Sequence, residues 1–326
     1  MPASQPDAEP VLQVRDLRVE FPLRRQRKTL KAVNGVSFDV HRGETFGVIG
    51  ESGSGKTTLG RTLVGLIAPN GGQLLQGGTD PATLSRRALR EHRRDFQIMF
   101  QDPNAALNPR MRIIDSVMEP LEIGRQGDRT SNREAALQAM ARVGLPPEFA
   151  QRYPHQLSGG QKQRVIIART LTLKPRLIVC DEVVAALDVS IRGEVLNLFA
   201  DLQREYGLTY VFITHDLSVV SHVSDRIAVM YLGCLMELGP ADTLAEQPLH
   251  PYTQALLSAE PIALPLSMRR QAQIELKGEI PSPVDPPSGC AFRTRCLHAT
   301  ERCAAQRPAW EERRPGHWVA CHHPLA

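Results

Sequence analysis

A chain of 326 residues, 42% hydrophobic and 23% charged with a net charge of +4, can bury a large α/β core plus a smaller unit without covalent staples. The mild charge argues against a nucleic-acid protein, in which Lys and Arg cluster on one face. No stretch approaches the roughly 18 apolar residues of a membrane span, and the best candidate, Ile227–Met236, is short and alternates like paired strands.

The first ten residues lack a basic start followed by an apolar core, so residues 1–10 read as a disordered lead rather than a signal peptide. Val11–Phe21 alternates as a strand, and Val33–Val40 reads as its hairpin partner. The basic run Arg24–Lys28 between them reads as a solvated loop. Phe21, at a strand end, is a candidate for stacking on an adenine ring, with simple packing as the alternative.

Thr45–Ile49 reads as a short buried strand, and Thr58–Leu66 as a helix with Leu59, Leu63 and Leu66 on one face. Between them Gly50-Glu-Ser52-Gly53-Ser54-Gly55-Lys56-Thr57 fits Gly-x-x-x-x-Gly-Lys-Thr and continues into Thr58. Glycines let such a loop turn its N–H groups onto an anion, and the following helix adds the positive end of its dipole. Lys56 would reach the terminal phosphates, and the Thr57 hydroxyl would bind Mg²⁺, which prefers hard oxygen ligands. This stretch resembles the phosphate loop of P-loop NTPases and implies ATP binding.

An Arg-rich helix from Ser85 to about Arg94 precedes a strand, Phe96–Gln101. A helix is predicted over Asn132–Gly144, with Leu137, Met140, Ala141 and Gly144 on its apolar face. Leu157-Ser158-Gly159-Gly160-Gln161 opens another helix with Ser158 as its N-cap, a second helix start with free N–H groups. Leu177–Cys180 is a continuous apolar run closed by Asp181 and Glu182, suited to a strand buried on both faces with its acids at the ligand-binding end. Asp181 is the candidate Mg²⁺ ligand and Glu182 the candidate base for an attacking water. Thr209–Thr214 is another buried strand, and His215 follows at its carboxyl end as a candidate γ-phosphate contact.

The order phosphate loop, Gln101, Leu157–Gln161, Asp181-Glu182, Ala186-Leu-Asp188 and His215 closely resembles the nucleotide-binding domain of an ABC transporter over about residues 11–258. The resemblance implies an α/β P-loop NTPase (RecA-like) core with an antiparallel β subdomain and an inserted helical subdomain at about 102–170. It makes Gln101 a Mg²⁺- or water-touching residue that senses the transmembrane partner. Asp188 falls in the loop that crosses the dimer interface, and Ser158 to Gly160 contact ATP held by the opposite domain. One chain would then carry two half-sites, and ATP would join two such domains head to tail.

Where the family usually has Pro after the glutamate, this chain has Val183, which would loosen the turn and slow catalysis. Phe100–Arg110, His250–Leu257 and Gly278–Cys290 are similar to the oligopeptide, dipeptide and nickel importers, and Thr-Leu-Gly-Arg after Lys56-Thr57 to the F-type subunit of a paired D and F ATPase. That resemblance implies a heterodimer with a D-type ATPase, two transmembrane permeases, an extracytoplasmic binding protein, and a peripheral position on the cytoplasmic face of the membrane. A soluble ABC ATPase acting on DNA or translation is the rival reading, and a regulatory subunit with little hydrolysis is a third.

Residues 259–326 are expected to form a small cysteine-rich C-terminal extension. Cys290, Cys296, Cys303 and Cys321 lack the tight Cys-x-x-Cys spacing of most zinc modules. Their longer loops suit a [4Fe-4S] cluster, whose charge Arg293, Arg295 and Arg302 would offset, and the resemblance implies such a cluster. Zinc and unligated thiols remain alternatives. Cys180 and Cys234 read as packing residues, and an ATP-using cytoplasmic protein is not expected to hold disulfides.

Overall fold

The computed structural model describes residues 10–23, 27–185, 187–259, 274–276 and 278–326, with backbone alone at Val189 and Ser218. Residues 1–9 of the expected lead, Arg24 and Arg25 of the basic run, Ala186 and the start of the C-terminal extension at 260–273 lie outside the described residues. The chain forms two compact units, one from residues 1–79 with 212–326 and the other from 80–211.

In the first unit the strands Lys28–His41, Pro10–Leu23 and Gly71–Gln76 form an antiparallel sheet in that spatial order. Alternation in the sequence sets its buried face: Leu12, Val14, Leu17 and Val19 point inward, against Val33, Val36 and Val40. A second sheet begins with Thr45–Ile49, buried at every residue and parallel to Arg226–Tyr231. A turn at Leu232 and Gly233, both at positive φ, leads back into the antiparallel strand Cys234–Pro240. That strand pairs with His317–Val319, which pairs with Glu311–Arg314. The apolar decamer at 227–236 is thus a hairpin, as its alternation predicts.

The second unit holds the parallel strands Phe96–Met99 and Leu177–Asp181 and the helices Ile113–Ile123, Arg129–Arg142, Gly159–Leu171 and Val189–Tyr206. Strand Thr209–Thr214 is fully buried.

Two predicted helix faces need correction, and each helix ends at a glycine short of its predicted span. The helix after the phosphate loop covers Lys56–Leu63 only. Gly65 at φ +70° ends it, with N–H bonds from Gly65 to Thr62 and from Leu66 to Arg61, the paired pattern of a Schellman stop. Leu66 lies beyond the helix, 50% exposed, instead of sharing a face with Leu59 and Leu63. The helix Arg129–Arg142 stops the same way at Gly144, through bonds from Gly144 to Ala141 and from Leu145 to Met140. Its buried face is Asn132, Ala136, Ala139 and Met140, while Ala141 and Gly144 are exposed. Strand Phe96–Met99 ends two residues before Gln101.

A buried polar cluster fastens the end of the first unit. Glu237, on Cys234–Pro240, is fully buried and accepts backbone N–H bonds from Leu249 at 2.7 Å and His250 at 2.9 Å. Its Oε1 lies 2.6 Å from His317 Nε2, so one carboxylate joins the tail strand to the segment before helix Pro251–Ala259. The His250 ring accepts the Tyr252 N–H at Nδ1, and burial lowers its pKa to about 4.

Candidate nucleotide site

The first unit carries the phosphate loop, Phe21, His215 and the four tail cysteines; the second carries Gln101, the Leu157–Gln161 segment, Asp181, Glu182 and Asp188. The loop follows strand Thr45–Ile49 and opens helix Lys56–Leu63, the strand-loop-helix context its sequence demands. Gly50 and Gly55 are required by close approach. A Cβ at Gly50 would sit 2.1 Å from the Met230 carbonyl oxygen, and one at Gly55, which has φ +103°, 2.0 Å from that of Ala32. Ser52, Gly53 and Thr57 are exposed along the loop, Ser54 is buried, and Thr58 is half-buried.

Lys56 is buried to 5% exposure, yet its ammonium is well solvated by the loop itself. Nζ donates to the Gly50 carbonyl at 2.6 Å and the Glu51 carbonyl at 2.9 Å, with Ser54 Oγ at 3.4 Å. The cation is therefore held at the centre of the loop, where charge and N–H groups together favour a polyanion. Phe21 pairs with Leu30 near the strand end and is 36% exposed, so its ring is accessible for stacking. His215 is exposed, and the next residue, Asp216, caps helix Leu217–Val223.

In the second unit Asp181 is buried at the carboxyl end of strand Leu177–Asp181. Glu182 follows in the left-handed region at φ +53°. Its carbonyl accepts the Ala185 N–H at 3.1 Å, and Val183 and Val184 are buried. The turn expected to be loose without proline is thus closed and packed, with Glu182 held in the left-handed region. A non-glycine residue there costs on the order of 1–3 kcal/mol and persists only when its surroundings hold it.

Ser158 caps helix Gly159–Leu171 reciprocally with Gln161: Gln161 N–H donates to Ser158 Oγ, and Ser158 N–H to Gln161 Oε1. Leu157 anchors the segment from its buried side. Ser158 and Gly159 are exposed, and Gly160 is buried where a Cβ would come 2.6 Å from Ile191. Gln101 is exposed just after its strand, and Asp188 is exposed as the residue preceding helix Val189–Tyr206.

The four tail cysteines converge. Cys290 N–H donates to the Cys303 carbonyl at 2.8 Å, and the Cys321 thiol interacts electrostatically with those of Cys290, Cys296 and Cys303. The Arg293 N–H donates to the Cys290 carbonyl at 3.2 Å and the His323 N–H to the Cys321 sulfur at 3.4 Å, while burial raises the Cys290 and Cys296 thiols and neighbouring backbone N–H groups partly offset it. Burial pushes the Cys290 and Cys321 thiols up to about 11. All six cysteines are free, and among the described residues no group of three or more His, Cys, Asp or Glu is placed to hold a metal ion. Arg295, expected to offset cluster charge, is paired instead with Glu51 of the phosphate loop. Nothing in the local sequence signals that contact, since the two residues are 244 positions apart.

Comparison with known proteins agrees with these features. Residues 33–185 match the ABC transporter family, and residues 236–303 the C-terminal region of oligopeptide/dipeptide transporters. The chain is 50% identical over 320 residues to an oligopeptide transport ATP-binding protein of Bacillus subtilis, covering 96% of this chain and 97% of the relative. It is 47% identical over 321 residues to one of Haemophilus influenzae, with the same coverage. Among solved structures, a Clostridium perfringens subunit of the cbiONQ ABC transporter complex superposes at TM-score 0.65 and 27% identity, covering 72% of this chain and 90% of that one. The dimeric ATP-binding cassette MJ0796, bound to ADP and Pi after hydrolysis, does so at 0.63 and 28%, covering 71% and 98%. The chain belongs to the ATP-binding subunits of the ABC transporter family, with their P-loop ATPase fold of mixed sheet and helices.

Proposed function

We propose that this ABC ATPase powers import of peptides through a membrane transporter. The relatives that match nearly its whole length are named as oligopeptide transport ATP-binding proteins, and the similarity to the oligopeptide/dipeptide transporter C-terminal region carries the reading beyond ATP hydrolysis alone. No described helix is long and apolar enough to cross a membrane; by the likeness to transport ATP-binding proteins we assign the solute path to partner permeases and this chain to a peripheral place on their cytoplasmic face. A binding protein outside the membrane would deliver the peptide. The test is ATP turnover by the assembled transporter: stimulation by peptide-loaded binding protein supports the reading, and stimulation by DNA or ribosomes instead overturns it.

Lys56 and the loop N–H groups bind the phosphates, and Phe21 stacks on the base. Thr57, Gln101 and Asp181 are the oxygen ligands we assign to Mg²⁺, which when bound would supply positive charge beside the phosphoryl oxygens. Glu182 orients and deprotonates the attacking water, and His215 contacts the γ-phosphate. Ser158, Gly159 and Gly160 serve the ATP of a second subunit, as their exposure at a capped helix start allows, and Asp188 crosses to that subunit. We assign the second subunit to a D-type ATPase. The functional division we favour is an ATP-binding domain over 11–258, including a helical subdomain over 102–170, and a C-terminal extension over 259–326.

A groove of about 470 Å³ in the second unit suits a permease segment. Phe100 and Ile123 offer it 39% and 69% exposed apolar surface, and Arg90, Arg93, Arg94 and Arg169 ring it. An amphipathic permease helix with acidic residues would complement both features.

The backbone of Glu182 gives a test of its role. Proline disfavours helical conformations in the residue before it and pushes that residue to extended backbone. Val183→Pro should therefore shift Glu182 out of the left-handed region and raise turnover several-fold at unchanged KM for ATP. Identical turnover would remove Val183 as a brake.

The convergent cysteines support a bound [4Fe-4S] cluster at Cys290, Cys296, Cys303 and Cys321. The N–H groups beside the sulfurs suit thiolate ligands of a bulkier group. Protein purified without oxygen should be brown and contain about four iron atoms per chain; colourless, iron-free protein with reactive thiols would sink this assignment.

A further inference from the structure

Glu51 occupies the first variable position of the phosphate loop, where the sequence pattern imposes no residue type, yet every polar group it has is engaged. Its backbone N–H donates to the Tyr252 hydroxyl at 3.0 Å. Its carbonyl accepts from Lys56 Nζ at 2.9 Å and from the Ser54 N–H at 3.2 Å. Its carboxylate takes both arms of the Arg295 guanidinium, NH1 to Oε2 at 2.6 Å and NH2 to Oε1 at 3.0 Å. This forked geometry fixes orientation as well as distance.

The support behind Arg295 is rigid. Its side chain is only 7% exposed, and its guanidinium lies 6.0 Å from the centre of the Tyr231 ring. Tyr231, Tyr252 and Phe292 pack on one another with ring centres 4.8–5.4 Å apart. The Arg295 N–H donates to the Phe292 carbonyl, and the Cys290–Cys303 backbone bond closes the segment that carries both residues. The Tyr231 hydroxyl also interacts with the Arg295 guanidinium, so the group is held on its aromatic side as well as by the loop.

We propose that Arg295 is a positioning residue for ATP binding, holding Glu51 and through its carbonyl the Lys56 ammonium, so that the cysteine segment 290–303 is a working part of the phosphate site. The proposal rests on the reading of Gly50–Thr57 as the ATP loop. Arg295 touches neither phosphate nor the reacting atoms; it acts by fixing the loop before ATP arrives. By linkage, ATP bound to the loop must in turn steady the cysteine segment.

The experiment measures fluorescent ATP-analogue binding and steady-state ATP turnover on the full-length chain in its assembled transporter. Wild type, Arg295→Ala, Arg295→Lys, Glu51→Gln and the double variant Arg295→Ala/Glu51→Gln are compared, each checked by its melting temperature without nucleotide. Arg295→Ala and Glu51→Gln should each raise Kd and KM for ATP about 10-fold, within the usual span of coupling between sites, while kcat stays within about twofold. The double variant should be no weaker than the worse single one, because both remove one shared interaction. Arg295→Lys, which keeps charge without the fork, should fall between wild type and alanine. Unchanged ATP affinity in folded Arg295→Ala or Glu51→Gln overturns the proposal, as does a loss confined to melting temperature. If wild type itself binds no ATP, the loop reading fails first, which separates the two results.

Discussion

Glu182→Gln should leave ATP binding intact and lower turnover by 100-fold or more, the size expected when a positioned proton acceptor is lost. The carboxamide keeps the size and leaves the phosphate loop untouched, but it cannot take a proton from water. ATP should then accumulate unhydrolysed and hold two subunits together, which light scattering with ATP and Mg²⁺ would detect. Phosphate release measured beside analogue binding separates the two steps. Turnover equal to wild type would remove Glu182 from its role and leave the left-handed backbone at that residue without a catalytic reason.

Glu237→Ala should be the most destabilising single change in the first unit. It would strip a fully buried acceptor from two backbone N–H groups and from His317, leaving them in a space water does not reach. Breaking such a buried pair costs about 3–5 kcal/mol, and a drop of roughly 10 °C in melting temperature should follow for a unit of this size. His317→Ala should cost less, since Glu237 keeps its two backbone partners. A melting temperature within 2 °C of wild type, measured for Glu237→Ala, would show that the cluster does not hold the tail; that threshold is about the effect of 1 kcal/mol or less. The same region should be acid-sensitive. Burial holds the folded His250 pKa at about 4, below its usual 6.5, so stability present above pH 6.5 is lost as pH falls through about 4.

The strand-loop-helix setting of the phosphate loop and the capped helix start were legible because phosphate chemistry and capping constrain residue type at fixed spacing. Gly50 and Gly55 have no alternative in a loop this tight, and Ser158 with Gln161 writes its cap into four consecutive letters. Helix ends were legible only in part. Gly65 and Gly144 stop their helices by adopting positive φ, but period alone ran past Gly65 to put Leu66 on a buried face, and put Ala141 and Gly144 itself on another. The contacts that span the chain were not legible at all. Arg295 with Glu51, and His317 with Glu237, join residues whose local sequence carries no trace of the partner. Only the tertiary fold brings an arginine from among the cysteines onto the phosphate loop.

The first unit is assembled from both ends of the chain, with the second unit continuous between them. During synthesis, therefore, residues 80–211 can fold as they emerge, while the phosphate loop has left the ribosome long before its supports, Tyr252, Phe292 and Arg295. Strand His317–Val319 comes later still and covers Cys234–Pro240, with Glu311–Arg314 as the edge beyond it. A ribosome that stalls before it would release a chain with every nucleotide motif in place and an open strand edge, a species for chaperones and proteases rather than for the membrane.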